Sequence, residues 1–233
     1  MAPGPETVPP DPGAALHTTH LTVPRSARLV TAGPPPARAG SVWYGFHGYG
    51  QLARSLVRDL LPLAERHHVA APEGLSRFYP KGGDGRVGAS WMTRDDRETE
   101  IADYLRYLDL VHEHVRPPDG VPVRLLGFSQ GAATACRWAA YGTAVRPDRV
   151  VLWGGDVPPD LDWDRAAVRL RAIQFTLVNG NADPYMPADA VERSAQRLRE
   201  QGVGVDLVWF DGGHHLDTAV LRGLATWDLP LPG

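Results

Sequence analysis

Cysteine is nearly absent from this sequence. Its 233 residues include only Cys136, which excludes an intrachain disulfide and a cluster of thiolate metal ligands. Lysine is equally scarce, since Lys81 is the only one, and the formal net charge is −3. The chain also lacks the run of about 18 apolar residues that a membrane-spanning helix needs. We therefore expect a cytoplasmic protein with no membrane span and no nucleic-acid partner.

The N-terminal region is rich in proline. Residues 1–14 combine prolines with small residues, a composition that buries too little apolar surface to offset the entropy of ordering, so we expect a disordered tail there. Residues 15–233 have a length that suits one α/β core, and we expect them to form a single domain. Short apolar runs between residues 17 and 31, divided by Pro24, predict an edge hairpin.

Beyond residue 40, short apolar runs alternate with longer amphipathic segments. This pattern predicts an α/β fold with a mostly parallel central sheet and helices on both faces. The predicted strands are residues 41–47, 67–71, 121–128, 149–153, 173–179 and 205–210. The predicted helices are residues 51–64, 97–116, 130–141, 187–201 and 215–226. The interval between residues 153 and 173 is too short to hold a cap domain.

The sequence Gly-Phe-Ser-Gln-Gly at residues 127–131 joins a predicted buried strand to an alanine-rich predicted helix. A serine between two glycines at such a junction is typical of a nucleophile elbow, a strained turn that exposes the hydroxyl group. Only glycine at 127 and 131 leaves room for the chain to approach itself so closely. We interpret Ser129 as a nucleophile, and an ordinary strand-to-helix loop is the alternative.

A serine nucleophile needs a histidine base and a carboxylate that orients the histidine. In this kind of sheet the acid follows the serine along the chain, and the histidine comes last. Asp183 and His214 each follow a predicted strand in that order, which places both in loops at the carboxyl ends of strands. Asp156 and His215 occupy similar positions and remain the alternatives for the acid and the base.

Two backbone N–H groups are expected to hold the oxyanion that forms when the serine attacks. Gln130 supplies one because it follows the nucleophile directly. Tyr49 supplies the other, since it lies in the glycine-rich sequence His-Gly-Tyr-Gly-Gln at 47–51, after an early predicted strand. A glycine-rich turn without a catalytic part is the alternative. The histidine pairs of the chain lie in separate segments, so we expect no metal and no cofactor.

Residues 72–98 form a long predicted loop that carries unusually large apolar side chains. Phe78, Tyr79, Trp91 and Met92 have little reason to lie in a fully solvated loop. We expect this loop to fold over the mouth of the site near Tyr49 and to line a modest apolar acyl pocket. The alternative is that Trp91 only anchors the loop to the core.

The sequence resembles the phospholipase/carboxylesterase family, which includes bacterial carboxylesterases and acyl-protein thioesterases. The resemblance covers most of residues 40–228 and is carried by the segments 47–51, 127–131, 180–187 and 212–214. It implies an α/β-hydrolase fold, a cofactor-free acyl-enzyme mechanism and the same triad and oxyanion positions. The sequence departs from the thioesterases at Gln51, where they usually carry aspartate.

These observations predict a serine carboxylesterase that hydrolyses short to medium acyl esters of small molecules through Ser129, His214 and Asp183. The closest alternative is a thioesterase of acylated proteins, or a related lysophospholipase-like activity. A ligand-binding receptor is an alternative from a different class, because a fold alone does not fix a function.

Overall fold

The computed structural model describes residues 16–83 and 85–227, so the tail predicted for residues 1–14 lies outside the described residues. The strands are β1 (Leu29–Ala32), β2 (Val42–Phe46), β3 (His68–Pro72), β4 (Ser76–Phe78), β5 (Gly88–Ser90), β6 (Val123–Phe128), β7 (Arg149–Trp153), β8 (Gln174–Gly180) and β9 (Val205–Phe210). The helices are α1 (Ala53–Asp59), α2 (Leu61–Ala64), α3 (Arg97–Val115), α4 (Gln130–Tyr141), α5 (Trp163–Leu170), α6 (Ala188–Glu200) and α7 (Thr218–Leu224).

Seven of the strands form a central sheet in the order β1-β3-β2-β6-β7-β8-β9. All neighbours in this sheet run parallel except β1, which is antiparallel to β3. Along the chain, the sheet first grows outward from β2 to β3 and then in the opposite direction from β6 to β9. The crevice beyond the carboxyl ends of β2 and β6 therefore lies at the topological switch point, where open α/β sheets bind ligands.

The sheet separates two apolar clusters, which is why its inner strands are apolar throughout. Val42, Tyr44 and Phe46 point into the cluster formed with α3, α4, α5 and α6, whereas Trp43 points into the cluster formed with α1, α2 and α7. The predicted α/β architecture with helices on both faces is confirmed. No helix in the described part of the chain combines the length and the apolar character needed to cross a membrane.

The predicted helix over residues 51–64 is interrupted at Leu60, which leaves α1 and α2 as separate short helices. Pro62 has no N–H group to continue the hydrogen-bond ladder of α1, so the chain starts a new turn there. Both helices still bury leucines on the same face of the sheet.

The last helix begins later than predicted, at Thr218 rather than at residue 215. The side chain of Asp217 accepts a hydrogen bond from the backbone N–H of Val220 at 2.9 Å and so caps the helix. His215 therefore lies in the turn that precedes α7.

The predicted edge hairpin between residues 17 and 31 is wrong. Only β1 is a strand there, and residues 16–28 contain neither helix nor strand. Leu16 and Leu21 are 99% and 81% exposed, so this segment has no buried face that could fix a second strand in register.

Residues 72–98 are more ordered than the predicted loop. They contain the antiparallel pair β4 and β5, whose register joins Ser76 to Ser90 and Phe78 to Gly88. On the other side of the site, the interval between β7 and β8 contains α5 and its flanking turns, with no inserted domain. The β4–β5 hairpin therefore lies beside the crevice, since Ala89 of β5 pairs with Gln51 in the loop that follows β2.

Candidate active site

Ser129 stands at the sharp turn between β6 and α4. Its φ of 54° and ψ of −119° lie in a region that non-glycine residues rarely adopt. A methyl group on Gly127 would come within 2.2 Å of the Gly131 carbonyl oxygen, and one on Gly131 within 2.0 Å of the Phe46 carbonyl oxygen. The close packing of backbone on both sides of the turn explains why glycine is needed at these two positions.

Asp183 and His214 form a hydrogen-bonded pair in loops that follow β8 and β9. His214 Nδ1 lies 2.7 Å from Asp183 Oδ2, and only 1% of the aspartate side chain is exposed. Asp183 Oδ1 accepts the backbone N–H groups of Tyr185 at 2.8 Å and Met186 at 3.1 Å. With Nδ1 as the donor to the carboxylate, Nε2 of His214 is left to accept the serine proton.

The histidine–aspartate pair packs closely against the end of β7 and against the residue before the serine. A methyl group on Gly154 would lie 3.0 Å from His214 Cε1 and 3.3 Å from Asp183 Oδ2. The His214 ring also packs on Phe128, the neighbour of Ser129, with 4.8 Å between the ring centroids. Within the described residues Ser129 Oγ makes no hydrogen bond. Such catalytic hydrogen bonds often form only when substrate is present.

The side chains of the two alternative residues have other partners in the structure. Asp156 accepts a hydrogen bond from Arg197 Nη2 at 2.7 Å and another from the Ser194 hydroxyl, both on α6. His215 is exposed, and its ring packs on Phe210 with 5.2 Å between the centroids. The pairing of His214 with Asp183 therefore favours these two residues over their neighbours.

The two expected oxyanion donors lie beside the serine. A methyl group on Gly48 would be 3.2 Å from Ser129 Cβ, which places the loop at 47–51 against the nucleophile. In the part of the chain that the structure describes, the backbone N–H groups of Tyr49 and Gln130 donate to no other group. Gln130 also begins α4, where the helix dipole favours negative charge.

The side chains of Gln51 and His47, to which the sequence assigned no role, hold this loop in shape. Gln51 Oε1 accepts the Gly48 N–H at 2.9 Å. His47 Nδ1 donates to the Gly48 carbonyl oxygen at 2.8 Å, and its Nε2 accepts the Gly74 N–H at 2.9 Å. Burial lowers the pKa of His47, which fits a neutral ring with one donor and one acceptor. In the sequence, they were marked only by their positions at the two ends of the glycine-rich motif and, for Gln51, by the departure from the aspartate of the thioesterases.

Trp91 is a core residue in the structure. Its side chain is 3% exposed, its indole N–H donates to the His47 carbonyl oxygen at 2.9 Å, and its ring packs on Phe46. This position matches the alternative in which Trp91 anchors the segment. Met92, next to it, is half-buried and packs against the same apolar cluster.

The ring of Phe78 packs on that of Tyr49, in the loop beside Ser129, and Tyr79 follows Phe78 along the chain. The rings of Tyr49 and Phe78 are 4.9 Å apart, and Tyr49 and Tyr79 are 61% and 52% exposed. We call these three residues the aromatic patch. A further exposed aromatic residue, Tyr185, was not identified from the sequence. Its ring packs against the His214 ring, with 4.9 Å between the centroids and the planes inclined by 66°.

The buried His67 and His68 and the half-buried His112 bond to neutral groups rather than to one another. His67 is 2.9 Å from Ser41 Oγ, His68 is 2.9 Å from the Pro34 carbonyl oxygen, and His112 is 2.9 Å from the Tyr44 hydroxyl. Among residues 16–83 and 85–227, no group of three or more His, Cys, Asp or Glu side chains is arranged to hold a metal ion.

A serine on a strand-to-helix elbow, with a histidine–aspartate pair in the loops of later strands, defines an α/β-hydrolase of the serine hydrolase class. The family model described as Serine hydrolase (FSH1) matches residues 61–219, which is more than half of the chain. The protein belongs to this family. The expected fold class and the expected serine hydrolase activity on esters are thereby confirmed.

Solved structures of esterases and thioesterases share the fold. Zea mays acyl-protein thioesterase 2 superposes with a TM-score of 0.68 at 22% identity, over 87% of this chain and 97% of that chain. A carboxylesterase from Mesorhizobium loti gives 0.66 at 20% identity, over 86% and 94%. The esterase PE8 gives 0.65 at 19% identity, over 87% and 98%. No curated protein matches the sequence.

Proposed function

We propose that the protein is a carboxylesterase that hydrolyses short to medium acyl esters of small molecules. The observation that carries this proposal is the 2.7 Å pairing of His214 with Asp183 beside the elbow of Ser129. Acyl transfer also needs donors that stabilise the oxyanion, and the free backbone N–H groups of Tyr49 and Gln130 next to that serine can supply them. Its single buried cysteine suits a reducing compartment such as the cytoplasm.

The proposed reaction has two halves. In the first, His214 Nε2 takes the Ser129 hydroxyl proton while Oγ bonds to the ester carbonyl carbon, and Tyr49 and Gln130 donate to the oxyanion. Collapse of this intermediate breaks the bond to the alcohol, which leaves with the proton from His214. In the second half, a water molecule loses a proton to His214 and attacks the acyl-enzyme carbonyl carbon. The bond from this carbon to Ser129 Oγ then breaks, the acid leaves, and His214 returns the proton to Oγ.

The surroundings of the serine favour acyl groups of short to medium chain length. The loops that follow β7 insert no cap domain over the site, and the aromatic patch at the mouth is open to solvent. Met92 and Phe78, both half-buried, offer apolar surface beside it. We propose that these side chains, with Tyr79, line the acyl pocket, and that Trp91 supports it from the core.

A substrate panel tests the proposal. Purified protein should hydrolyse p-nitrophenyl esters of short and medium chains in solution, with no jump in rate when the substrate forms an oil–water interface. The Ser129→Ala variant serves as the blank for every substrate. Activity that rises sharply only on emulsified long-chain triglyceride, or hydrolysis that the Ser129→Ala variant retains, would contradict the proposal.

A thioesterase of acylated proteins is the second candidate function. Its support is the structural likeness to the Zea mays acyl-protein thioesterase 2 and the absence of a cap domain between β7 and β8, which leaves room for a bulky leaving group. Acyl thioesters in the same panel separate the two functions through the ratio of kcat/KM values. A ligand-binding receptor would show no Ser129-dependent turnover with any member of the panel.

Tyr185 should influence the choice of leaving group. The departing alcohol must take its proton from His214, so it leaves beside the ring that Tyr185 contacts at 4.9 Å. An aromatic leaving group can pack on this tyrosine, and aromatic pairs contribute about 0.5–1.5 kcal/mol. We expect Tyr185→Leu to lower kcat/KM for phenyl esters about 3- to 10-fold relative to cyclohexyl esters of the same acid.

Steady-state rates on matched phenyl and cyclohexyl esters measure this ratio. Tyr79→Leu is the comparison variant. As a proposed acyl-pocket residue, Tyr79 would meet the acyl group that both esters share, so its loss should change both rates alike and leave the ratio unchanged. An equal loss on both ester types in Tyr185→Leu would show that the tyrosine only supports the loop of Asp183.

A further inference from the structure

The two proposed oxyanion donors belong to different elements, and one short segment is bonded to both. Residues 88–92, which we call the brace, comprise β5 and the two residues after it. At one end Ala89 accepts the Gly50 N–H at 2.9 Å and donates its own N–H to the Gln51 carbonyl oxygen at 3.0 Å. This antiparallel bridge fixes the chain immediately after Tyr49.

At its other end the brace is bonded to the side chain of Gln130. Gln130 Nε2 donates to the Met92 carbonyl oxygen at 3.0 Å and to Ser90 Oγ at 3.1 Å. Gln130 Oε1 accepts the Trp91 N–H at 3.2 Å. The amide group thus bonds to three consecutive residues, although it lies about 40 positions away along the chain.

The brace has little freedom to move. A methyl group on Gly88 would lie 2.5 Å from the Gly50 carbonyl oxygen, so the brace and the oxyanion loop are packed backbone against backbone. Trp91 is buried, and its indole N–H donates to the His47 carbonyl oxygen at the start of that loop. A displacement of the brace would therefore displace the loop of Tyr49 as well.

We propose that the Gln130 side chain is a positioning residue that sets the separation of the two oxyanion donors through the brace. This inference rests on the proposed esterase function. The backbone N–H of Gln130 is one donor, and its side chain holds the segment that fixes the loop carrying the other. Donors that must meet one oxygen atom at 2.7–3.1 Å are sensitive to small displacements, which gives this linkage its catalytic value.

The Gln130→Met variant tests the inference, because methionine keeps the size of the side chain and removes its hydrogen bonds to the brace. We expect kcat on a p-nitrophenyl ester to fall about 10- to 100-fold with KM within about twofold, since an oxyanion donor acts mainly on the transition state. An alkyl boronic acid, which forms a tetrahedral anion on Ser129, should lose affinity by a similar factor.

Two further variants keep the test decisive. Ser90→Ala removes a hydroxyl that accepts from Gln130 Nε2 at 3.1 Å and donates to the Met92 carbonyl oxygen at 2.9 Å. Since the bonds of Gln130 to Trp91 and Met92 remain, it should shift kcat and boronate affinity in the same direction but less. Gln196→Met is the matched control, since Gln196 lies on α6 and bonds to Glu200 far from the site, and it should match the wild type. If Gln130→Met fails to fold, the Ser90→Ala result decides.

An unchanged kcat and boronate affinity in Gln130→Met would overturn the inference while leaving the proposed function intact. A rise in KM at constant kcat would also overturn it, because that pattern indicates ordinary substrate binding. A wild-type protein that is inert on every ester and thioester would overturn the proposed function itself.

Discussion

The Ser129→Ala variant is expected to lose at least about a thousandfold of the ester hydrolysis rate, because the catalysis that remains without the nucleophile comes only from the oxyanion hole and substrate binding. The difference in rate between the wild type and this variant reports on the hydroxyl group. Alanine keeps the Cβ atom and the φ of 54° at this position, so only the hydroxyl group is removed. Initial rates at saturating p-nitrophenyl ester measure the loss.

A fluorophosphonate probe supplies an independent measurement of the same serine. It should label the wild type at Ser129 alone, as located by mass spectrometry of the digested protein, and it should not label the alanine variant. Labelling at a different serine, or full activity of Ser129→Ala, would end the triad assignment.

His214→Ala should be about as inactive as Ser129→Ala, since the serine cannot attack without a base to take its proton. The adjacent His215→Ala variant is the control. Its ring is exposed and packs on Phe210, so its removal should leave most of the activity. The rates of both variants on one ester, with fluorophosphonate labelling rates beside them, make the comparison.

The double variant Ser129→Ala/His214→Ala adds a further check. Residues that act as a unit are not additive, so its residual rate should equal that of Ser129→Ala. An active His214→Ala with an inactive His215→Ala would mean that the turn after β9 presents the other histidine to the serine.

The elements that the sequence predicted well are those with strong local signals. The apolar run before Gly127 and the alanines after Gly131 predicted β6 and α4, and the structure gives these elements at 123–128 and 130–141. The apolar runs before Asp183 and His214 similarly predicted β8 and β9 to within one residue. Because parallel strands end at the same edge of a sheet, the order of these loops predicted that Asp183 and His214 lie near each other, and the structure joins them by a hydrogen bond.

The features that were missed depend on contacts between distant segments. The strands of the β4–β5 hairpin have only three residues each and lie among glycines, so they carry no periodic signal. The bonds from Gln130 to the brace join residues that are about 40 positions apart. The predicted edge hairpin failed for a related reason, because the exposed side chains of Leu16 and Leu21 find no apolar partner in the fold.

The conformation of Ser129 has a thermodynamic consequence. A residue held at a sparsely populated φ and ψ costs about 1–3 kcal/mol, which is a large part of the roughly 5–15 kcal/mol that keeps a domain folded. The backbone packing around Gly127 and Gly131 must supply this free energy during folding, before any substrate arrives. The proposed nucleophile is therefore held in a fixed backbone conformation before any substrate arrives, at the expense of part of the protein's resistance to heat.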